Sequence, residues 1–152
     1  MDPLLAAETS VARLVGTLSR MTGRGGGTTL PGKLLWKVDP GAMTRLAGRL
    51  SGGIAIVSAT NGKTTTTAML AAIVGDRPTL AWNNAGASLA SGVMSTLLEP
   101  GRRRLGVLEV DEFALPEVAR RTAPAVLSLG NLFRDQLDRY GELEHVAAGW
   151  RS

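Results

Sequence analysis

The 152-residue sequence contains no cysteine, so disulfide bonds and thiolate metal sites are excluded and nothing indicates an oxidising compartment. The sequence has a single histidine, His145, so a metal cluster built from several histidines is excluded. No apolar run approaches the roughly 20 residues that a bilayer-spanning helix needs. Asp2, Glu8 and Arg13 interrupt the N-terminal apolar stretch, which therefore does not form a signal peptide. These absences predict a cytoplasmic protein without a transmembrane segment.

Aromatic residues are scarce, at 4% of the chain, which leaves few platforms on which the bases of a single-stranded nucleic acid could stack. The net charge is +4, but the basic residues are scattered and their only tight run is at 102–104. A dedicated nucleic-acid-binding protein is therefore not predicted. The positive charge equally suits a polyphosphate substrate or an anionic membrane surface.

Residues 1–50 predict a helical, glycine-rich segment ahead of the main domain. Apolar residues at helical spacing indicate an amphipathic helix over residues 4–21. The glycine cluster that follows favours a flexible linker over a second phosphate-binding loop. Asp39 as a cap and Pro40 in the first helical position predict a short helix over residues 41–50.

Residues 51–152 predict an α/β domain with a parallel sheet flanked by helices. Short apolar runs, which indicate strands buried on both faces, lie at residues 54–57, 79–82, 105–110 and 125–129. Stretches able to form helices lie between them, at residues 63–74, 88–98 and 117–121. Strands that alternate with helices are typical of a parallel sheet with right-handed crossover connections.

The segment SATNGKTTTTAML, residues 58–70, follows the first predicted strand directly. A strand that ends at Val57, a tight turn through Gly62 and a helix that begins near Lys63 leave backbone N–H groups free to bind an anion. In that arrangement Lys63 reaches the outer phosphates of a nucleoside triphosphate, and the hydroxyl of Thr64 ligates Mg²⁺. The usual phosphate-loop pattern has glycine where Val57 stands. The placement between strand and helix predicts a phosphate loop for ATP.

The loop also resembles that of a known family. The sequence TNGKTT, at 60–65, matches the phosphate loop of the Mur ligase superfamily, the ATP-dependent ligases of peptidoglycan synthesis. With Ser58 and Ala59 ahead of it, the loop is similar to one branch, the MurT subunits of lipid II isoglutaminyl synthase. Further stretches that support this branch are GRGGGTTLPGK at 23–33, EVDEFALPEV at 109–118 and NLFRDQLDRYGE at 131–142. The resemblance implies a P-loop-type Mur ligase central domain, here incomplete.

Three acids, Glu109, Asp111 and Glu112, lie at the carboxyl end of the third predicted strand and directly after it. Ligands of open α/β sheets bind at the carboxyl ends of strands, where a carboxylate can complete a Mg²⁺ shell opposite Thr64. The resemblance makes Glu109 the metal ligand and leaves the roles of Asp111 and Glu112 open. The alternative interpretation is a solvated acidic strand end.

The resemblance implies the remaining site residues. It assigns catalysis to Lys63 and Glu109, metal binding to Thr64 and Glu109, and ATP binding to Thr60, Asn61, Gly62, Lys63, Thr64, Thr65, Asn83, Asn131 and Arg134. Ser88 departs from the family's asparagine, and its alternative role is to cap a helix after an Asn/Gly turn. Gln136 replaces the family's histidine, and a neutral amide binds a second metal ion poorly. The alternative for 131–142 is a polar helix closed by Gly141.

The resemblance also implies a reaction. ATP transfers its terminal phosphoryl group to the α-carboxylate of D-glutamate in lipid II, and ammonia then displaces phosphate to leave D-isoglutamine. A GatD-like glutamine amidotransferase subunit supplies the ammonia, and the protein acts at the inner face of the membrane. The residues ahead of Ser58 are too few for the separate domain with which other Mur ligases hold a uridine nucleotide. A lipid-linked substrate does not require that domain.

The zinc ribbon and the C-terminal domain of MurT-like proteins are not contained in this sequence. The sequence therefore predicts an N-terminal fragment that is inactive by itself. Two alternatives stay open. One is another ATP-dependent amide ligase of the Mur and folylpolyglutamate synthase superfamily, and the other is a non-catalytic nucleotide-binding module.

Overall fold

The computed structural model describes residues 3–21, 29–74, 79–83, 87–133 and 143–151. Its centre is a four-stranded parallel sheet with the order β2-β3-β1-β4. The strands are β1 (Ile54–Ser58), β2 (Leu80–Trp82), β3 (Leu105–Glu109) and β4 (Val126–Leu129). The predicted α/β fold with a parallel sheet is confirmed, and each strand lies within one residue or two of its predicted bounds.

Helices flank the sheet. Those in the described residues are α1 (Pro3–Met21), α2 (Leu30–Val38), α3 (Ala42–Ala47), α4 (Lys63–Val74), α5 (Ala90–Leu98), α6 (Leu115–Thr122) and α7 (Leu143–Arg151). Helix α4 has the bounds that the sequence predicts. Helices α4, α5 and α6 lie between successive parallel strands along the chain, as crossover connections in such sheets do. Among the described helices, none combines the length and the apolar character that a membrane span requires.

The register of the sheet brings two strand ends together. Strand β1 lies between β3 and β4, with Val57 opposite Glu109 and Ser58 opposite Leu129. The loop after β1 and the acids after β3 therefore lie at the same edge of the sheet. Ligands of open α/β sheets bind at this edge.

One hydrophobic core joins the N-terminal helices to the sheet. Ala12 of α1 and Leu35 of α2 belong to the same buried cluster as Ile56 of β1 and Leu108 of β3. Truncation of a fully buried side chain such as Leu108 to alanine costs about 2–5 kcal/mol of stability. The segments on either side of residue 50 thus share one core, and the domain boundary drawn there stays a prediction.

Helix α2 is not predicted by the sequence pattern, because Pro31 and Gly32 interrupt its apolar spacing. Close contact with α5 stabilises it. A Cβ on Gly32 would lie 1.9 Å from the carbonyl oxygen of Ser91, and the N–H of Gly32 donates to Oγ of Ser95 over 2.9 Å. Only glycine lets the two helices approach this closely, and the packing offsets the low helix propensity of the segment.

The helix predicted over residues 41–50 is shorter than expected. Helix α3 has Gly41 as its N-cap residue and no side-chain cap, so the prediction of Asp39 as its cap and Pro40 as its first residue is wrong. Asp39 instead ends α2 as its C-cap residue, and its carboxylate accepts a hydrogen bond from the guanidinium of Arg45.

The prediction that every strand is buried on both faces is wrong for β4. All four of its residues are exposed in the described structure, whereas β2, at the other edge of the described sheet, is mostly buried. The side chains of Leu127 and Leu129 line a groove of about 710 Å³ together with Pro116 of α6 and Trp150 of α7. The described part of the chain leaves this aliphatic surface uncovered.

Candidate nucleotide-binding site

The loop after β1 has the geometry of an anion site. Strand β1 ends at Ser58 and α4 begins at Lys63, so residues 59–62 form the turn between them. Gly62 has a φ of +84°, in the left-handed region that glycine adopts without strain. The first N–H groups of α4 have no acceptor within the helix and lie at its positive dipole end. A negatively charged group is therefore stabilised at this turn.

The ammonium group of Lys63 lies over the turn. Its Nζ donates to the carbonyl oxygens of Ala59 at 2.9 Å and of Thr60 at 3.3 Å. It also forms an ion pair with Oε2 of Glu112 at 3.3 Å. Since the side chain of Lys63 is only 13% exposed, its charge is weakly screened by water and acts strongly on an anion at the turn.

Thr64 and Glu109 meet across the ends of β1 and β3. The hydroxyl of Thr64 donates to Oε1 of Glu109 over 2.9 Å. Glu109 is 2% exposed, and its other oxygen, Oε2, is buried without a hydrogen-bond partner among the described residues. The hydroxyl of Ser58, at the end of β1, is also buried without a hydrogen-bond partner among the described residues. A buried carboxylate oxygen without a partner carries a desolvation cost that a bound cation removes.

This set of donors fits a Mg²⁺ ion that nucleotide phosphates help to hold. Mg²⁺ is usually bound through one or two carboxylates together with substrate phosphates and water. In the part of the chain that the structure describes, there is no group of three or more His, Cys, Asp or Glu side chains that would hold a metal ion by itself. Glu109 and Thr64 supply one carboxylate and one hydroxyl. This small number of protein ligands fits a Mg²⁺ ion whose other ligands are phosphate oxygens of ATP and water.

Asn83 holds the end of β3 in place. It is 2% exposed, and its Nδ2 donates to the carbonyl oxygens of Glu109 at 2.6 Å and Ala87 at 2.9 Å. Its Oδ1 accepts from the N–H of Glu109 at 2.8 Å. Both amide protons are thus engaged within the protein, and the side chain orients the backbone that carries the Glu109 carboxylate. Direct contact between Asn83 and a nucleotide stays a prediction.

Asn131 braces the phosphate loop from the segment after β4. Its Oδ1 accepts from the N–H of Asn61 at 2.9 Å, and its backbone oxygen accepts from the N–H of Thr60 at 2.8 Å. The hydroxyl of Thr60 accepts from the N–H of Phe133 at 2.9 Å. The structure therefore places residues 131–133, the start of the motif predicted at 131–142, beside the phosphate loop, and the contacts of Asn131 with Asn61 and Thr60 brace the loop within the protein.

Asp111 and Glu112 are not a solvated strand end, since each is 3% exposed. Oδ1 of Asp111 accepts from the N–H of Phe113 at 3.1 Å, which stabilises the turn after β3. Glu112 faces Lys63, and its backbone oxygen accepts from Nε1 of Trp150 at 3.0 Å. The sequence predicts acidic residues at this edge of the sheet, but only the backbone path of the turn determines that Glu112 forms the ion pair with Lys63.

The other predicted site residues fall into two groups. Gly62 and Thr65 are exposed at the loop and in the first turn of α4. Arg134, Gln136 and the Asn/Gly turn at 84–86 lie outside the described residues, as does the glycine cluster at 23–27. The alternative in which Ser88 caps α5 is wrong, because Leu89 is the N-cap residue.

Comparison with known proteins agrees with this geometry. The family model of the Mur ligase middle domain matches residues 57–150. The MurT subunit of lipid II isoglutaminyl synthase (glutamine-hydrolyzing) from Staphylococcus aureus is 34% identical over 88% of this chain and 31% of its own length. The corresponding subunit from Streptococcus pneumoniae is 36% identical over 83% of this chain and 28% of its own length. The chain thus spans about a third of the length of these curated relatives.

A solved structure supports the fold. MurF from Acinetobacter baumannii aligns with a TM-score of 0.59 and 20% identity over 71% of this chain and 26% of its own chain. At this identity the likeness concerns the fold alone, and it agrees with the parallel sheet and flanking helices. The family model covers well over half of the chain, including the end of β1, the loop and the acids after β3. This chain therefore belongs to the Mur ligase family, and its residues 57–150 match the middle domain of that family.

Proposed function

We propose that this chain is the nucleotide-binding part of a MurT-like subunit, which amidates the α-carboxylate of D-glutamate in lipid II at the expense of ATP. The observation that carries the proposal is the meeting of Lys63, Thr64 and Glu109 at one edge of the sheet. The similarity to curated MurT subunits over 83–88% of the chain supports the choice of acceptor. The family's place in peptidoglycan synthesis agrees with it.

In the proposed ATP site, Lys63 and the first N–H groups of α4 bind the outer phosphates. The other proposed ATP-binding residues are Thr60, Asn61, Gly62, Thr64, Thr65, Asn83, Asn131 and Arg134. Thr64 and Glu109 would hold Mg²⁺, and the unpartnered Oε2 of Glu109 supports that role. When bound, Mg²⁺ supplies charge neutralisation at the transferring phosphoryl group.

The proposed reaction has two steps. A carboxylate oxygen of the acceptor attacks the γ-phosphorus of ATP and ADP leaves, which gives an acyl phosphate. The lone pair of ammonia then attacks the acyl carbon, phosphate leaves with the bonding electrons, and the nitrogen gives up one proton as the amide forms. Phosphoryl transfer of this kind relies on positioning and charge neutralisation, which Lys63 and a Mg²⁺ ion held by Thr64 and Glu109 would provide. A GatD-like glutaminase subunit is the proposed source of ammonia.

A chimeric protein tests the proposal. This chain replaces the matched part of the Staphylococcus aureus relative, and the reaction contains a GatD-type glutaminase subunit, glutamine, Mg-ATP and lipid II. We expect amidated lipid II, measured by mass spectrometry, from the chimera but not from the same chimera with Lys63→Ala. The 152-residue chain alone is expected to bind ATP weakly and to amidate nothing. A chimera that folds and binds Mg-ATP but leaves lipid II unmodified would contradict the proposed acceptor.

A further inference from the structure

Helices α1 and α2 present an exposed apolar surface. Val11 and Leu14 of α1 and Val38 of α2 are 57%, 62% and 68% exposed. A groove of about 300 Å³ lies between the two helices and is lined by the aliphatic side chains of Ala7, Val11, Ala12, Leu34, Leu35 and Val38. Contiguous apolar surface of this kind marks a site of interaction more often than isolated exposed residues do. We name Val11, Leu14, Leu34 and Val38 the α1–α2 apolar surface.

Basic residues lie within the same surface. The outer face of α2 is formed at helical spacing by Leu30, Lys33, Leu34, Lys37 and Val38. Lys33 and Lys37 are both exposed, and the sequence of α2, LPGKLLWKV, contains no acidic residue. Aliphatic and basic side chains therefore alternate on one face of the helix. This arrangement suits an interface in which aliphatic groups enter the acyl boundary and lysines contact lipid phosphates.

We propose that the α1–α2 apolar surface binds an anionic lipid bilayer. A second copy of the chain fits less well, because a symmetric contact through this face would bring the lysine pairs of both copies together. The positive net charge of the whole chain, +4, adds long-range attraction to an anionic membrane. The inference deepens the proposed function and rests on it for its biological meaning, since a lipid-linked acceptor lies in a membrane.

A second exposed apolar pair serves as an internal comparison. Met69 and Ile73 of α4 are 61% and 78% exposed. The sequence of α4, KTTTTAMLAAIV, has Lys63 as its single charged residue, and that lysine is paired with Glu112. The surface of α4 thus has the apolar side chains without the basic ones. Charge complementarity distinguishes the α1–α2 apolar surface from it.

The experiment is flotation of the 152-residue chain with vesicles of phosphatidylcholine alone or with about a third phosphatidylglycerol, without lipid II or nucleotide. We expect the chain to bind the anionic vesicles and to bind neutral vesicles little. Binding to the anionic vesicles should weaken at high salt, because salt screens the attraction between the lysines and the lipid phosphates. The double substitution Lys33→Gln/Lys37→Gln should weaken binding about tenfold or more, given roughly 1 kcal/mol for each lysine near the surface. Val11→Gln/Leu14→Gln/Val38→Gln should reduce it to the level seen with neutral vesicles.

Matched controls remove the same kind of group elsewhere. Arg102→Gln/Arg104→Gln lowers the net charge by the same amount, and Met69→Gln/Ile73→Gln removes exposed apolar side chains from α4. Both controls should bind vesicles nearly as the unaltered chain does, and circular dichroism checks that every variant is folded. Equal loss of binding in controls and surface variants, or no binding to anionic vesicles, would overturn the proposal.

One further outcome would identify another occupant of this surface. A dimer in light scattering that Val11→Gln/Leu14→Gln/Val38→Gln abolishes, without vesicle binding, would show that a second copy covers it and would overturn the proposal. Amidation of a short-chain, water-soluble lipid II analogue by the chimera is measured separately. Failure of amidation alone rejects the proposed function, and failure of flotation alone rejects the membrane surface.

Discussion

Oε2 of Glu112 lies 3.3 Å from Nζ of Lys63, and the two side chains are only 4% and 13% exposed. The carboxylate belongs to the turn after β3 and the ammonium to the first residue of α4, so the pair joins the two elements that border the candidate site. An anion bound at the phosphate loop competes with this carboxylate for the same cation. We therefore expect Glu112 to position Lys63 and, at the same time, to oppose phosphate binding.

Glu112→Gln separates these two effects. Loss of one partner from a largely buried ion pair costs about 3 kcal/mol in the free energy of unfolding. The affinity for Mg-ATP should rise several-fold, because a negative charge beside the phosphates is removed. Chemical denaturation and isothermal titration measure the two quantities. Reduced stability together with reduced ATP affinity would contradict the competition between carboxylate and phosphate.

Glu117→Gln on α6 is the matched control for that substitution. Arg120 and then Arg121 donate hydrogen bonds to the Glu117 carboxylate and lower its pKa, although partial burial acts in the opposite direction. Its ion pairs are therefore formed at neutral pH and contribute stability that is lost only as the pH falls through the lowered pKa. Since they are on the surface, their removal at neutral pH should change stability by less than about 1 kcal/mol. ATP affinity should not change.

Lys63→Ala should weaken Mg-ATP binding by about 100-fold, because a charge-assisted hydrogen bond to phosphate is worth about 1.5–3 kcal/mol and the long-range charge is lost as well. Isothermal titration measures the change. Lys33→Ala, at an exposed lysine of α2, is the control and should leave the affinity unaltered. Unchanged affinity in Lys63→Ala would show that the loop is not the phosphate site.

The double variant Lys63→Ala/Glu112→Gln tests whether the two residues act as a pair. Lys63→Ala alone leaves the Glu112 carboxylate buried without its cation, and the second substitution removes that cost. The coupling free energy from a double-mutant cycle should be about 1–3 kcal/mol. ATP binding should stay weak in the double variant, since the lysine is still absent. A coupling near zero would mean that the contact contributes nothing to the fold.

Glu109→Gln should leave nucleotide binding in place while its dependence on Mg²⁺ weakens. The amide keeps the shape of the side chain and can still accept from Thr64, but it lacks the negative charge that attracts the cation. The measured quantity is the ratio of ATP affinities with and without Mg²⁺, which should fall towards one. Glu117→Gln should keep the ratio of the unaltered chain. If Glu109→Gln keeps it too, the metal ligand lies elsewhere, and Glu112 is the next candidate.

Gly32→Ala should destabilise the protein by about 1–3 kcal/mol or more, because its methyl group would lie 1.9 Å from the backbone oxygen of Ser91. Gly48→Ala is the matched control. Gly48 has an ordinary helical φ of −61°, and a Cβ there lies 3.4 Å from its nearest neighbour. Its substitution should be neutral or slightly stabilising. Equal unfolding midpoints for the two variants would show that α2 does not pack on α5 as described.

Patterns that are local in the chain were readable from the sequence alone. The apolar runs, the bounds of α4 and the Gly-Lys-Thr turn between β1 and α4 all depend on neighbouring residues, because strand and helix periodicity and the left-handed turn at Gly62 are properties of short segments. The position of Glu109 at a strand end followed from the same patterns. The alternation of strands and helices was enough to predict a parallel sheet.

Contacts between distant segments were decided only by the tertiary structure. The pairing of Lys63 with Glu112, the clamp of Asn83 on the backbone of Glu109 and the bracing of the loop by Asn131 depend on the register of β1 with β3 and β4. Helix α2 forms because Gly32 fits closely against α5, and the exposure of β4 depends on which elements pack against the sheet. The chemistry of the side chains therefore identified the candidate site residues, while the packing of the helices and strands determined which of these residues are in contact.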